Sequence, residues 1–206
     1  GLLGGRFDPV DKKLYVLSIF PCNSIGSRKE CEMDPISEME AVQIFFSMGL
    51  TPVGWYHSHP TFEPSPSCRD IETQTVYQTL FNRAHDNTEP FLGLIISPFL
   101  KHSKGRSVIE CIHLAPLKAQ DEDFRLPCRV DYRIEETGEF FEHSEDLVDL
   151  FQRLQRNYSK TTHYAGYYQH DSFFISKLVG RLEGTTYEPS ARVLLQRFRN
   201  KMREQP

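Results

Sequence analysis

The stretch HSHPTFEPSPSCRD, residues 57–70, sets two histidines two positions apart, then a serine, then an aspartate three residues beyond it. In a strand, residues i and i+2 point to the same side, so His57 and His59 can present two imidazoles on one face while Ser58 turns away. Pro60 ends such a strand, and Pro64, Ser65 and Pro66 read as loop. Ser67 stands where a helix should begin, and Asp70 falls on its first turn. Two imidazoles and one carboxylate make a three-ligand zinc set with the fourth position left to water. Bound zinc lowers the pKa of water from near 16 to roughly 7, which supplies a hydroxide nucleophile at neutral pH. The Ser67 hydroxyl could then donate to the oxyanion of a tetrahedral intermediate. Each half has another reading. An H-x-H pair on a strand is often a surface or core pair. Ser67 with Asp70 is also an ordinary helix start, a serine cap with an acid in the first turn. The joint spacing, H-x-H-P, six residues, then S-x-x-D, is far more specific than either half.

The surrounding elements must hold these side chains. KLYVLSIFP, Lys13 to Pro21, is apolar on both alternating faces and reads as a buried strand. MDPISEMEAVQIFFSMGL reads as a helix capped by Asp34, with Pro35 in its first turn and Gly49 as a left-handed stop. Met39, Val42 and Phe46 share one of its faces. TPVGWYHSH is a short strand running into the motif. Asp70 to Phe81 is a second helix, with Val76, Tyr77, Leu80 and Phe81 expected on its buried side. Pro90 to Phe99 and Ser107 to Leu114 are two more strands, and DEDFRLPCRVDYRI, Asp121 to Ile134, is a polar connector with an extended piece. Strands mixed with two helices predict an α/β domain. Three helical patterns follow, at about Glu142 to Tyr158, Ser172 to Glu183 and Pro189 to Glu204. The aromatic run HYAGYYQHDSFF, His163 to Phe174, reads as packing between helices.

Composition narrows the class. With 206 residues and 39% hydrophobic content, the chain suits one globular domain with an appendage. The net charge of −4 is uneven: residues 1–150 carry 14 bases against 24 acids, and residues 151–206 carry 10 against 4. Five cysteines without a C-x-x-C argue against a cysteine zinc cluster and for a reducing compartment. No apolar run is long enough to span a membrane. A zinc deaminase would need H-x-E with P-C-x-x-C, and neither occurs. Cys68 has no recognisable His and acid partners for a nucleophile, and the other six histidines show no ligand spacing. The chain begins at Gly1 rather than Met, so a piece of a longer protein is expected.

The sequence GWYHSHPTFEPSPSCRD resembles the JAMM/MPN+ metalloprotease motif, H-[ST]-H-P-x6-S-x-x-D, without a departure. The resemblance runs over residues 1 to about 115, including GLLGG and the helix after CEMDP. It implies a mixed β-sheet flanked by helices: an MPN domain over 1–116, a connector over 117–140 and a helical C-terminal extension over 141–206. It further implies zinc as cofactor, His57, His59 and Asp70 as its ligands, Ser67 as oxyanion donor, and ubiquitin on a protein lysine as substrate. PCNS, CEMDP, RDI-x-TQ and RLP are similar to family members that deubiquitinate histone 2A, which implies nucleosomes as substrate and a nuclear location. The family's general-base glutamate lies three residues before the Gly of GLLGG, a position that precedes Gly1; this chain is expected to bind zinc but to hydrolyse poorly. The other function class is a non-catalytic MPN scaffold in a multiprotein complex. A weak DNA contact is also expected from the basic end, where Arg192, Arg199 and Arg203 share a helix face beside Arg197 and Lys201.

Overall fold

The computed structural model describes residues 1–27, 30–60, 62–84, 86–98, 100, 107–116, 125–135, 167–168 and 172–173. It divides into two units, Gly1–Tyr132 and Arg133–Pro206. In the first, β1 (Leu2–Asp8), β2 (Lys13–Phe20), β5 (Thr51–Ser58), β6 (Leu92–Ser97), β7 (Val108–Pro116) and β8 (Arg125–Arg129) form one sheet in the order β2-β1-β5-β6-β7-β8. β3 (Ser24–Ser27) and β4 (Glu30–Met33) pair as a separate antiparallel ribbon. Helix α1 (Pro35–Ser47) precedes β5, and helix α2 (Cys68–Leu80) crosses from β5 to β6. That crossover makes β5 and β6 parallel, whereas the other neighbours in the sheet are antiparallel. The result is the expected mixed α/β sheet flanked by helices.

Local chemistry sets the helix ends. The Asp34 side chain accepts from the Ile36 N–H, Pro35 occupies the first turn, and Gly49 sits at φ 70° just past the end of α1. The buried face of α1 differs from the expected one. Ser37, Ala41 and Phe45 point inward, while Met39 and Phe46 are exposed and Val42 is partly buried. The inward stripe holds small residues beside Phe45 because α1 lies close on β1: a methyl group at Gly4 would fall 2.5 Å from the Phe45 ring. The core gathers Leu2, Phe20, Cys22, Ala41, Phe45, Trp55 and Phe91, with Tyr77 and Phe81 packed against it.

Helix α2 also departs from expectation. Its buried residues are Asp70, Gln74 and Gln78, one stripe at four-residue spacing, and Val76 and Leu80 face out. Polar residues can occupy that stripe because each finds partners. Gln78 Nε2 donates to Leu114 O at 3.0 Å and to Glu89 Oε2 at 2.9 Å, and its Oε1 accepts from Leu114 N at 2.7 Å. The strand β2 is real but lies at the sheet edge rather than buried. Among the described residues it pairs only with β1, and Tyr15, Val16, Leu17 and Ile19 are exposed. The extended piece of the connector is β8, the opposite edge strand, clamped where Arg125 makes two bonds to Glu89, at 2.5 and 2.8 Å.

In the second unit β9 (Tyr167–Tyr168) pairs antiparallel with β10 (Ser172–Phe173). The helix expected from Ser172 therefore opens as a strand instead, consistent with the β preference of an aromatic-rich run. Its remainder lies outside the described residues. So do the helices expected over 142–158 and 189–204, with Arg192, Arg197, Arg199, Lys201 and Arg203. No helix among the described residues is long and apolar enough to cross a membrane.

Candidate metal centre

Strand β5 delivers the two histidines, and the start of α2 delivers the carboxylate. His57 lies within the strand beside Ile95 of β6, and the His59 N–H donates to Ile96 O at 2.9 Å just past the strand's end. The loop that follows is anchored where Ser97, fully buried, donates its hydroxyl to Phe62 O at 2.7 Å. Ser67 caps α2: its Oγ accepts from the Asp70 N–H at 3.2 Å, and its own N–H donates to Asp70 Oδ2 at 2.7 Å. This reciprocal capping box fixes the Asp70 rotamer and turns the carboxylate toward the histidines.

His57, His59 and Asp70 each offer a ligand atom, all within 4.8 Å of one another, and they are the one such group among the described residues. His57 Nε2 lies 3.0 Å from His59 Nε2 and 3.1 Å from Asp70 Oδ1, and His59 Nε2 lies 3.5 Å from Asp70 Oδ2. The His57 Nε2–His59 Nε2 and His57 Nε2–Asp70 Oδ1 spacings lie close to the ligand–ligand edge of about 3.3 Å expected for a tetrahedral zinc with bonds of roughly 2.0–2.1 Å. Charge argues the same way. His59 Nδ1–H donates to Glu63 O at 2.9 Å, so in the neutral ring Nε2 carries a lone pair. Three electron-rich atoms thus meet with at most the His57 proton among them, an arrangement that favours a cation. Asp70 and His59 are both buried. Burial alone would raise the Asp70 pKa, but hydrogen bonds from His57 and Ser67 outweigh it and hold the carboxyl far below its usual range. The residues present fit a zinc ion.

Aromatic rings wall the site. Trp55 stacks on His57 with centroids 4.6 Å apart and planes at 12°, and Phe62 stacks on His59 at 4.3 Å. Sequence reasoning singles out neither ring. The available signal is the alternation Trp55, His57, His59 along one strand face. Ser67 sits where expected, but its hydroxyl is engaged: Oγ–H donates to Asp70 Oδ2 at 2.6 Å. His113 stands apart from the group, its Nε2 2.9 Å from Glu89 O. Cys68 is an exposed free thiol.

The family profile described as "JAB1/Mov34/MPN/PAD-1 ubiquitin protease" matches residues 1–83, which include the whole triad. Fold and site together define an MPN domain, and through it the chain belongs to the JAB/MPN family. It is similar to proteins called MYSM1. Deubiquitinase MYSM1 of Homo sapiens is 38% identical over 156 residues, 73% of this chain and 18% of that protein. The MYSM1 of Xenopus laevis, named as a deubiquitinase of histone 2A, is 39% identical over 132 residues, 64% of this chain and 16% of that protein. The Branchiostoma floridae protein of the same name is 48% identical over 99 residues, 48% of this chain and 12% of its own length. The chain thus spans less than a fifth of each of these relatives.

Proposed function

We propose that the chain is the catalytic portion of a zinc-dependent isopeptidase that removes ubiquitin from a protein lysine, with histone 2A in nucleosomes as substrate and the nucleus as its place of action. The observation that carries this reading is the convergence of His57 Nε2, His59 Nε2 and the Asp70 carboxylate at ligand spacing. The names of the MYSM1 relatives support the ubiquitin and histone parts of it.

His57, His59 and Asp70 would hold the metal. Zinc supplies Lewis acidity there, polarising the isopeptide carbonyl and easing water deprotonation near neutral pH. The protein's own residues do the rest. Asp70 Oδ2 takes both an N–H and an O–H from Ser67, so the hydroxyl can rotate toward a developing oxyanion while the N–H keeps the carboxylate in place. The Glu63 carbonyl fixes the His59 tautomer that leaves Nε2 free to coordinate. None of the described residues stands at the general-base position. The register of β1 on β5, Leu2 opposite Trp55 and Leu3 opposite Gly54, sums to 57. A residue three positions ahead of Gly1 would, by that sum, lie across from His59. This is the place from which the family's glutamate would reach the water. No observation among the described residues favours the scaffold reading.

Cleavage of a ubiquitin–lysine isopeptide, by the chain carrying a glutamate three residues ahead of Gly1, tests the proposal. Cleavage should stop on chelation, return with zinc, and fall roughly 10²- to 10⁴-fold with glutamine at that place. Cleavage that survives removal of the metal would refute the mechanism.

A further inference from the structure

The two histidines of the triad are held differently. His59 is oriented through its second nitrogen, by the Glu63 carbonyl. This is the usual device, since a metal-ligating imidazole is ordinarily aimed by a hydrogen bond on the nitrogen that does not coordinate. His57 has no such bond among the described residues: its Nδ1 is buried and finds no hydrogen-bond partner there. Its ring is instead laid against the Trp55 indole, nearly parallel. Trp55 is buried and is itself fixed, because its Nε1–H donates to Gln74 Oε1 at 2.7 Å. Gln74 is fully buried and donates from Nε2 to Phe91 O at 2.8 Å and to Gln78 Oε1 at 2.9 Å. The bridge has room because residue 93 is glycine. A Cβ there would stand 3.0 Å from Gln74 Oε1 and 3.2 Å from Trp55 Nε1.

We infer that Trp55, tethered by Gln74, is the positioning residue that sets the plane of His57 in the metal site. The inference rests on the proposed zinc role of the triad and adds to it a support for this one ligand. The chemistry suits the task. An imidazole that gives its lone pair to a cation becomes electron-poor, and an indole face is electron-rich, so the stack strengthens on coordination. The same helix stripe serves both parts of the site: Asp70 is a ligand, and Gln74, one turn on, holds the wall behind another ligand.

Two measurements on the whole chain test this. The first is zinc affinity by competition with a chromogenic chelator. Trp55→Leu should bind zinc about 10- to 100-fold more weakly, the range for loss of an orienting partner. Trp55→Phe, which keeps an aromatic face, should recover most of that loss, and Gln74→Met should fall between them. The second needs no metal. In the NMR spectrum of the zinc-free chain, the His57 Cε1–H resonance should be shifted upfield by the indole ring current. It should move downfield in Trp55→Leu and in Gln74→Met, where the ring is no longer held flat. If Trp55→Leu does not fold, as judged by its melting curve, Gln74→Met decides. Wild-type zinc affinity in a folded Trp55→Leu or Gln74→Met, or a His57 resonance that does not move, overturns the inference while leaving the zinc reading intact. Failure of the wild-type chain to bind zinc, with the His57 shift present, would instead overturn the zinc reading.

Discussion

Ser67 does two jobs that mutation can separate. As the N-cap of α2 it satisfies the Asp70 N–H, and its own N–H and O–H hold Asp70 Oδ2. Ser67→Ala should lower stability by about 1 kcal/mol, the usual loss of a cap, read from the urea midpoint. If the hydroxyl also serves the oxyanion, kcat should fall roughly 10²- to 10³-fold with little change in ubiquitin affinity, in the chain that carries the upstream glutamate. An unchanged kcat would leave Ser67 as a cap alone. At this scale the sequence is most informative. The spacing of His57, His59, Ser67 and Asp70 follows from a period-2 strand, a loop and a first helical turn, all local rules. The supporting residues are less legible. Gln74 and Gln78 are exposed residues by type, and partners distant in sequence make them core, among them Phe91, 17 positions from Gln74, and Leu114, 36 positions from Gln78.

Elements are easier to find than to orient. Helix α1 is recognisable from its cap and stop, but its apolar residues nearly surround it, so periodicity does not say which stripe faces the sheet. The structure chooses 37, 41 and 45. Phe45→Ala should therefore cost about 3–5 kcal/mol in chemical unfolding, while Phe46→Ala stays within about 0.5 kcal/mol. Equal costs would mean that the helix is rotated from the described position. The edge strand β2 reads as buried for a related reason: an apolar run looks alike at the centre and the edge of a sheet, and only long-range pairing tells them apart. Edge strand β8 is held by Glu89. Hydrogen bonds from Arg125 outweigh partial burial and, with help from Gln78, lower the Glu89 pKa below its ordinary value of 4.5. A carboxylate with a depressed folded pKa contributes stability above its unfolded value and loses it as pH falls. Wild-type stability should thus drop as pH falls below about 4.5, and Glu89→Gln should blunt that drop while costing about 1–3 kcal/mol at pH 7. Parallel pH profiles of the two proteins would argue against the clamp.

On the scale of the whole molecule, the sheet, the crossover helix and the triad form one device. The parallel step from β5 through α2 to β6 brings residues from a strand end and a helix start to one point, which is why a motif of 14 residues suffices to build the site. The mixed α/β architecture is legible because strong strand and helix patterns alternate through the first 116 residues. The pairing of β10 at Ser172 is not, since a two-residue strand carries no period. Everything proposed about activity depends on metal in this site, so the zinc content of the purified chain, by elemental analysis, tests the account most directly. The expected result is one zinc per wild-type chain and none in the chain carrying His57→Ala with Asp70→Ala. A wild-type chain without zinc under zinc-replete conditions, or a double variant that retains it, would contradict the account.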